Sequence, residues 1–129
     1  MDKDYEIWLK YAKMDLLSGE VALKEGIYWD ACFHAQQTVE KCLKALILKK
    51  GQDVPRIHKL GKLLRILNDK DLSKFAEDFA TLDKYYVPIR YPDADTGFVI
   101  SDELNLDKAK ETMKTAGEIY KITEIRIAS

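Results

Sequence analysis

The stretch YWDACFHAQQTVEKCLKALILKK, Tyr28 to Lys50, decides the fold. It reads as one helix of about six turns. Ala31, Cys32, Ala35, Val39, Cys42, Leu43 and Leu46 make one broad apolar face, and Phe33, Ala45, Ile47 and Leu48 cover much of the rest. A helix that is apolar nearly all round belongs at the centre of a bundle. His34, Gln36, Gln37, Glu40, Lys41 and Lys44 are threaded through it. Polar groups in such a helix must find partners.

Working outward, the 129 residues are expected to form a single domain, 1–129. The fold class is all-α: an up-and-down helical bundle of about five helices with a long loop before the last helix. The first helix runs from about Asp4 to Lys24, with Trp8, Tyr11, Ala12, Leu16, Gly19, Ala22 and Leu23 on its inner side. Gly26 ends it, and Asp30 is expected to cap the second helix, which stops before Gly51. So short a connection implies antiparallel packing. After Pro55 a third helix is expected over Ile57 to Leu67, with Leu60, Leu63, Leu64 and Leu67 inward.

A fourth helix starts at Asp71 or Ser73 and carries the stripe Leu72, Phe75, Phe79, Leu82 and Tyr86 until Pro88 and Pro92 break it. The segment from Val87 to Leu104 then holds two prolines and a glycine, and only Gly97 to Ile100 offers a strand. Connections of this length are usually functional or disordered. The last helix, Leu106 to Ile127, is capped by Asn105. Its own stripe is Leu106, Ala109, Met113, Ala116 and Tyr120. Ile119, Ile122 and Ile125 extend the apolar surface, which points to a homodimer.

Cys32 and Cys42 are ten positions apart on one helix, about 15 Å along its axis, so they cannot pair. They read as reduced core thiols of a cytoplasmic protein. The charged start has no signal-peptide pattern, and no apolar run is long enough for a membrane. The net charge of −1 argues against generic nucleic-acid binding. Yet Lys41 to Arg65 holds eight basic residues against the single acid Asp53, a local +7 set against −8 for the remainder. Such a region suits an anionic ligand, or is simply a solvated face and loop.

The segments AKMDLLSGEVALKEG and YWDACFHAQQTVEKCLKAL, then HKLGKLL and IRYPDAD, together resemble the minimal prokaryotic form of the HEPN family, the higher eukaryotes and prokaryotes nucleotide-binding domains. The resemblance covers most of the chain. It implies a helical bundle, a tendency to dimerise, and a small nucleotidyltransferase as partner in a two-component or toxin–antitoxin system. One branch of the family consists of metal-independent ribonucleases, whose motif is an arginine followed after four to six residues by a histidine. Here Arg90 is followed at those positions by Asp95, Thr96 and Gly97. Proton transfer near neutral pH is the ordinary work of histidine, so its absence speaks against catalysis, and no catalytic residue is assigned.

The candidate ligand-binding residues are Arg90, Tyr91, Asp93, His34, Lys41, Asp15 and His58. Arginine grips phosphate bidentately and a tyrosine ring stacks on a base. Asp15, seven residues from both Trp8 and Ala22, is turned toward the core, where it needs partners. Lys41 and His34, seven apart on the next helix, are the natural ones. The trio is either a polar cleft or an ion pair that sets the register of two helices. Arg90 is expected on a concave surface shared with His34 or Lys41. His58 stands at the start of the third helix, inside the basic region. No metal-ligand spacing and no glycine-rich phosphate loop occurs, so neither a metal nor a cofactor is expected. The leading function is a non-catalytic module for a nucleotide, an RNA end or a nucleotidyltransferase partner. The alternatives are a degenerate RNA endonuclease centred on Arg90 and a helical interaction protein with no ligand site.

Overall fold

The computed structural model describes residues 2–86 and 104–129. Arg90, Tyr91, Asp93, the long loop and the expected strand at 97–100 lie outside the described residues. Within them the elements are α1 (Asp4–Lys24), α2 (Tyr28–Lys49), α3 (Leu60–Leu67), α4 (Lys70–Ser73), α5 (Ala76–Leu82), a single 3-10 turn over Asp83–Tyr85, and α6 (Leu106–Ala128). The fold is all-α, as expected. α2 is its axis: α1 and α6 pack along it, and α3, α5 and the 3-10 turn also pack against it. Fourteen of its 22 residues are buried, including the polar Gln36, Thr38, Glu40 and Lys44.

α1 and α2 form a tight antiparallel hairpin. Gly26 takes φ +77° and lets the amides of Gly26 and Ile27 reach back to the carbonyls of Leu23 and Ala22, which satisfies the end of α1. Gly51 repeats the arrangement after α2 at φ +87°. The expected cap at Asp30 is not found, because α2 begins earlier, at Tyr28, and Asp30 lies in its first turn. Asn105 caps α6 as expected, its Oδ1 accepting from the Lys108 amide at 2.9 Å.

Other boundaries move. α3 starts at Leu60 rather than Ile57. The fourth helix is three pieces: Asp69, not Asp71 or Ser73, caps α4, and the chain re-forms as α5 and then the 3-10 turn. Six helices therefore replace the expected five among the described residues. The stripe Leu72, Phe75, Phe79 and Leu82 is buried throughout, so the faces were right although the backbone breaks between them.

Two apolar faces differ from expectation. Tyr11 is exposed rather than inward. On α6, Ile119 is fully buried and Ile122 is partly buried against the core, which leaves only Ile125 exposed. The surplus apolar surface assigned to α6 is thus core packing. Both cysteines are free and buried, and burial pushes the Cys42 thiol up to about 12. Among the described residues no helix is long and apolar enough to cross a membrane.

Candidate functional site

Two polar clusters interrupt the apolar centre, and α2 supplies most of both. The first joins α1 to α2. His34 Nδ1 lies 2.8 Å from Asp15 Oδ1, and Lys41 Nζ donates to Asp15 Oδ2. Burial alone would raise the Asp15 carboxyl, but the hydrogen bonds from His34 and Lys41 outweigh it and hold the group below the usual carboxylate range. An ionised Asp15 accepts only, so Nδ1 of His34 carries the proton. Gly19 makes this proximity possible. A Cβ there would fall 2.6 Å from Met113 Sδ and 3.2 Å from His34 Cβ, so α1, α2 and α6 approach closely at that level.

The second cluster lies further along α2, among its next turns. Glu40 Oε2 accepts from Lys44 Nζ at 2.9 Å and from His58 Nδ1 at 3.0 Å, and Gln36 Nε2 approaches Oε1 at 3.4 Å. Gln36 Nε2 also donates to the His58 carbonyl at 3.3 Å, and Gln37 donates to Gln36 Oε1 at 2.7 Å. The Lys44 ammonium lies 5.6 Å from the centre of the Trp8 ring, a cation–π contact. Lys44 and Glu40 are both nearly inaccessible, whereas the His58 side chain is 48% exposed. The cluster therefore opens to solvent at His58.

His58 is held from several sides. Its ring stacks on Tyr86 at 4.7 Å between centroids. Two residues on, the amides that begin α3 are bound by Asp83, whose Oδ1 accepts from Leu60 N at 2.8 Å. Lys59, the residue preceding α3, makes no side-chain cap, so a carboxylate from the 3-10 turn does that work. Burial raises the Asp83 carboxyl, and the Leu60 and Gly61 amides partly offset the shift. One latch thus joins the start of α3 to the end of the α5 segment and sets His58 against Tyr86.

The basic region divides in two. Lys41 is matched by Asp15 and Lys44 by Glu40. Lys49 Nζ donates to the carbonyls of Ile127 and Ser129, and Lys50 Nζ to that of Leu67. These four cations bind helix ends and carboxylates of the chain itself. Arg56, Lys59, Lys62 and Arg65 are exposed, and the first three flank His58 in sequence.

Of the predicted site residues, then, Asp15, His34 and Lys41 come together with one another, His58 stands in a separate cluster, and Arg90, Tyr91 and Asp93 lie outside the described residues. Sequence reasoning passed over Glu40, Lys44, Gln36 and Asp83 as members of a site. The signal for the first three was the spacing of polar residues along an otherwise apolar helix. Asp83 carried none.

The HEPN domain family profile matches residues 5–126, nearly the whole chain. The chain belongs to the HEPN family. A crystal structure of TT1696 from Thermus thermophilus superposes with a TM-score of 0.78 at 35% identity, covering 93% of this chain and 95% of that one. The crystal structure of ST0689, an archaeal HEPN homologue, gives a TM-score of 0.76 at 29% identity, covering 98% and 99%. A protein of Methanocaldococcus jannaschii named "Putative toxin MJ1304" is 25% identical over 127 residues, 91% of this chain and 84% of that protein. The HEPN fold accounts for the all-α bundle and for the length of chain it occupies.

Proposed function

We propose that this HEPN domain is the toxin-like half of a toxin–antitoxin pair and that it binds a phosphate-bearing ligand, a nucleotide or an RNA end, at the His58–Tyr86 corner. The observation that carries the reading is the fixing of His58. Its backbone is bound by Gln36 and its Nδ1 by buried Glu40, and its ring is stacked on an aromatic. The free edge of an imidazole set in this way meets solvent, and Arg56, Lys59 and Lys62, near it in sequence, are exposed as well. Arg90 follows Tyr86 by four residues and supplies the bidentate donor that phosphate favours. The likeness to a protein named as a toxin supports the system, and the partner proposed for it is a small nucleotidyltransferase acting in the cytoplasm. The Asp15–His34–Lys41 trio is better matched internally and serves the register of α1 on α2.

The test is calorimetric titration of the purified domain with nucleotides and short RNA ends. Binding is expected to weaken about tenfold or more on Arg90→Ala, since each charge-assisted bond is worth roughly 1.5–3 kcal/mol, and likewise on His58→Ala, because in the protonated ring Nε2 donates to phosphate while Nδ1 stays on Glu40. Asp15→Asn should leave it nearly unchanged. Equal binding by all three variants and the parent would move the site elsewhere.

One observation favours a second reading, RNA cleavage. The proton-transfer group missing after Arg90 has a substitute elsewhere in the chain. A carboxylate on Nδ1 leaves Nε2 of a neutral imidazole as a proton acceptor, and His58 has that arrangement. RNA hydrolysis by the purified domain, abolished by His58→Ala and by Arg90→Ala, would make the domain a nuclease rather than a binding module.

A further inference from the structure

The two rings of the candidate site come from separate stretches of chain. His58 precedes α3, and Tyr86 closes the 3-10 turn. Glu40 and Gln36 tie His58 to α2, and those bonds place His58 without placing Tyr86. Asp83 joins the two stretches. It stands three residues before Tyr86, and its Oδ1 accepts from the Leu60 amide, two residues after His58, at 2.8 Å. Its Oδ2 lies 3.5 Å from the Gly61 nitrogen.

A cap drawn from 23 residues away is an indirect way to begin a helix. The ordinary capping position of α3 is Lys59, whose backbone already has the extended geometry of an N-cap, φ −73° and ψ 122°. A serine there would bind the same amides locally. The chain instead keeps a half-buried carboxylate that its burial disfavours, with the charge of Lys59 supporting it and that of Glu40 opposing it. The stability of α3 alone does not call for this arrangement. Groups held against local preference are characteristic of functional sites. What the distant carboxylate adds, and a local cap cannot, is a fixed relation between the start of α3 and the 3-10 turn.

We infer that Asp83 is a positioning residue for ligand binding: its carboxylate bridges α3 to the 3-10 turn, so that the His58 and Tyr86 rings meet as one surface. The inference rests on the reading of the His58–Tyr86 corner as the ligand site. The rings stack at 4.7 Å between centroids and 17° between planes, and Glu40 takes one edge of the imidazole. A shift of α3 against the turn moves the Tyr86 face away from the other edge. Hydrogen bonds and stacking both weaken steeply with such misalignment. Loss of the bridge therefore weakens binding although Asp83 itself does not touch the ligand.

A cap exchange separates this role from a purely structural one, with all variants studied well below the lowest melting point. Asp83→Ala should lower the thermal midpoint, and Lys59→Ser in the same chain should recover most of it by capping α3 locally. The site should not recover. Compared with Lys59→Ser alone, the double variant should bind a nucleoside monophosphate and an end-phosphorylated RNA oligonucleotide about tenfold or more weakly. In NMR spectra of the unliganded domain, the upfield displacement that the Tyr86 ring imposes on the His58 ring protons should be lost. Asp83→Asn keeps an accepting oxygen and should retain both the displacement and the binding. A double variant that binds as tightly as Lys59→Ser, or that keeps the His58 displacement, would overturn the positioning role and leave the ligand reading standing. A parent chain that binds neither probe would overturn the ligand reading, and the positioning role with it.

Discussion

Lys44 carries its charge where the side chain is only 5% exposed, and Glu40 meets it from one turn earlier. A buried pair of this kind is worth little against a well-packed apolar replacement, but breaking it strands a charge. Lys44→Met should therefore cost about 3–5 kcal/mol in urea unfolding, and Lys44→Met with Glu40→Leu should cost less than the two single changes summed. Asp15 and Lys41 form a milder case, since the Lys41 side chain is a quarter exposed. Removing either should cost about 1–3 kcal/mol, and a double-mutant cycle should return a coupling energy. Strict additivity in that cycle would show that the pair does not interact. At this scale the sequence was uneven. Asp15 could be placed because it shares a heptad position with Trp8 and Ala22. Asp83 could not be read as the cap of α3, because it is 23 residues from the amide it accepts, and no local pattern announces such a cap.

Among the elements, α6 is closed at its end by a clip that joins it to α4 and α2. Arg126 holds Asp69 through both terminal nitrogens and reaches Asp71 at 3.2 Å, while Lys49 donates to the last carbonyls of α6. Asp69 caps α4 at the same time. Arg126→Met should thus loosen α4 and the last turn of α6 together, at about 1–2 kcal/mol. Hydrogen exchange should show both ends opening while the α1–α2 hairpin keeps its protection. Uniform loss of protection would mean that the clip is not a local device. The break between α4 and α5 shows why such boundaries escape a reading of periodicity. Leu72, Phe75, Phe79 and Leu82 keep helical spacing, yet α4 stops at Ser73 and α5 begins only at Ala76, with Phe75 between them at φ −92°, ψ 7°. Apolar spacing records which side is buried, and it says little about where hydrogen bonding stops. For the same reason the α6 isoleucines read as a second face: the sequence does not show how much of a helix its neighbours enclose.

The molecule as a whole should lose stability to acid through two carboxylates and regain part of it through a third. Hydrogen bonds from His34 and Lys41 hold Asp15 low against its burial. The hydrogen bond from Arg126 is the main force that holds Asp69 low. A carboxyl lowered on folding contributes stability that is complete above its unfolded value, about 3.9, and is lost as pH falls through the folded value. Asp83 runs the other way. Burial raises it, so protonation there favours the folded chain as pH drops past the raised value. Two groups oppose one, and neither depressed group has its charge fully screened by water. The thermal midpoint should accordingly be level from neutrality down to about pH 5 and fall below about pH 4. Asp15→Asn should lower the neutral plateau and flatten the acid limb, because the difference in proton uptake at that site is gone. Asp83→Asn should do the reverse to the limb and steepen it. An Asp15→Asn variant whose midpoint falls with acid as steeply as the parent's would show that the α1–α2 trio contributes nothing to the pH dependence and that the Asp69–Arg126 clip carries it.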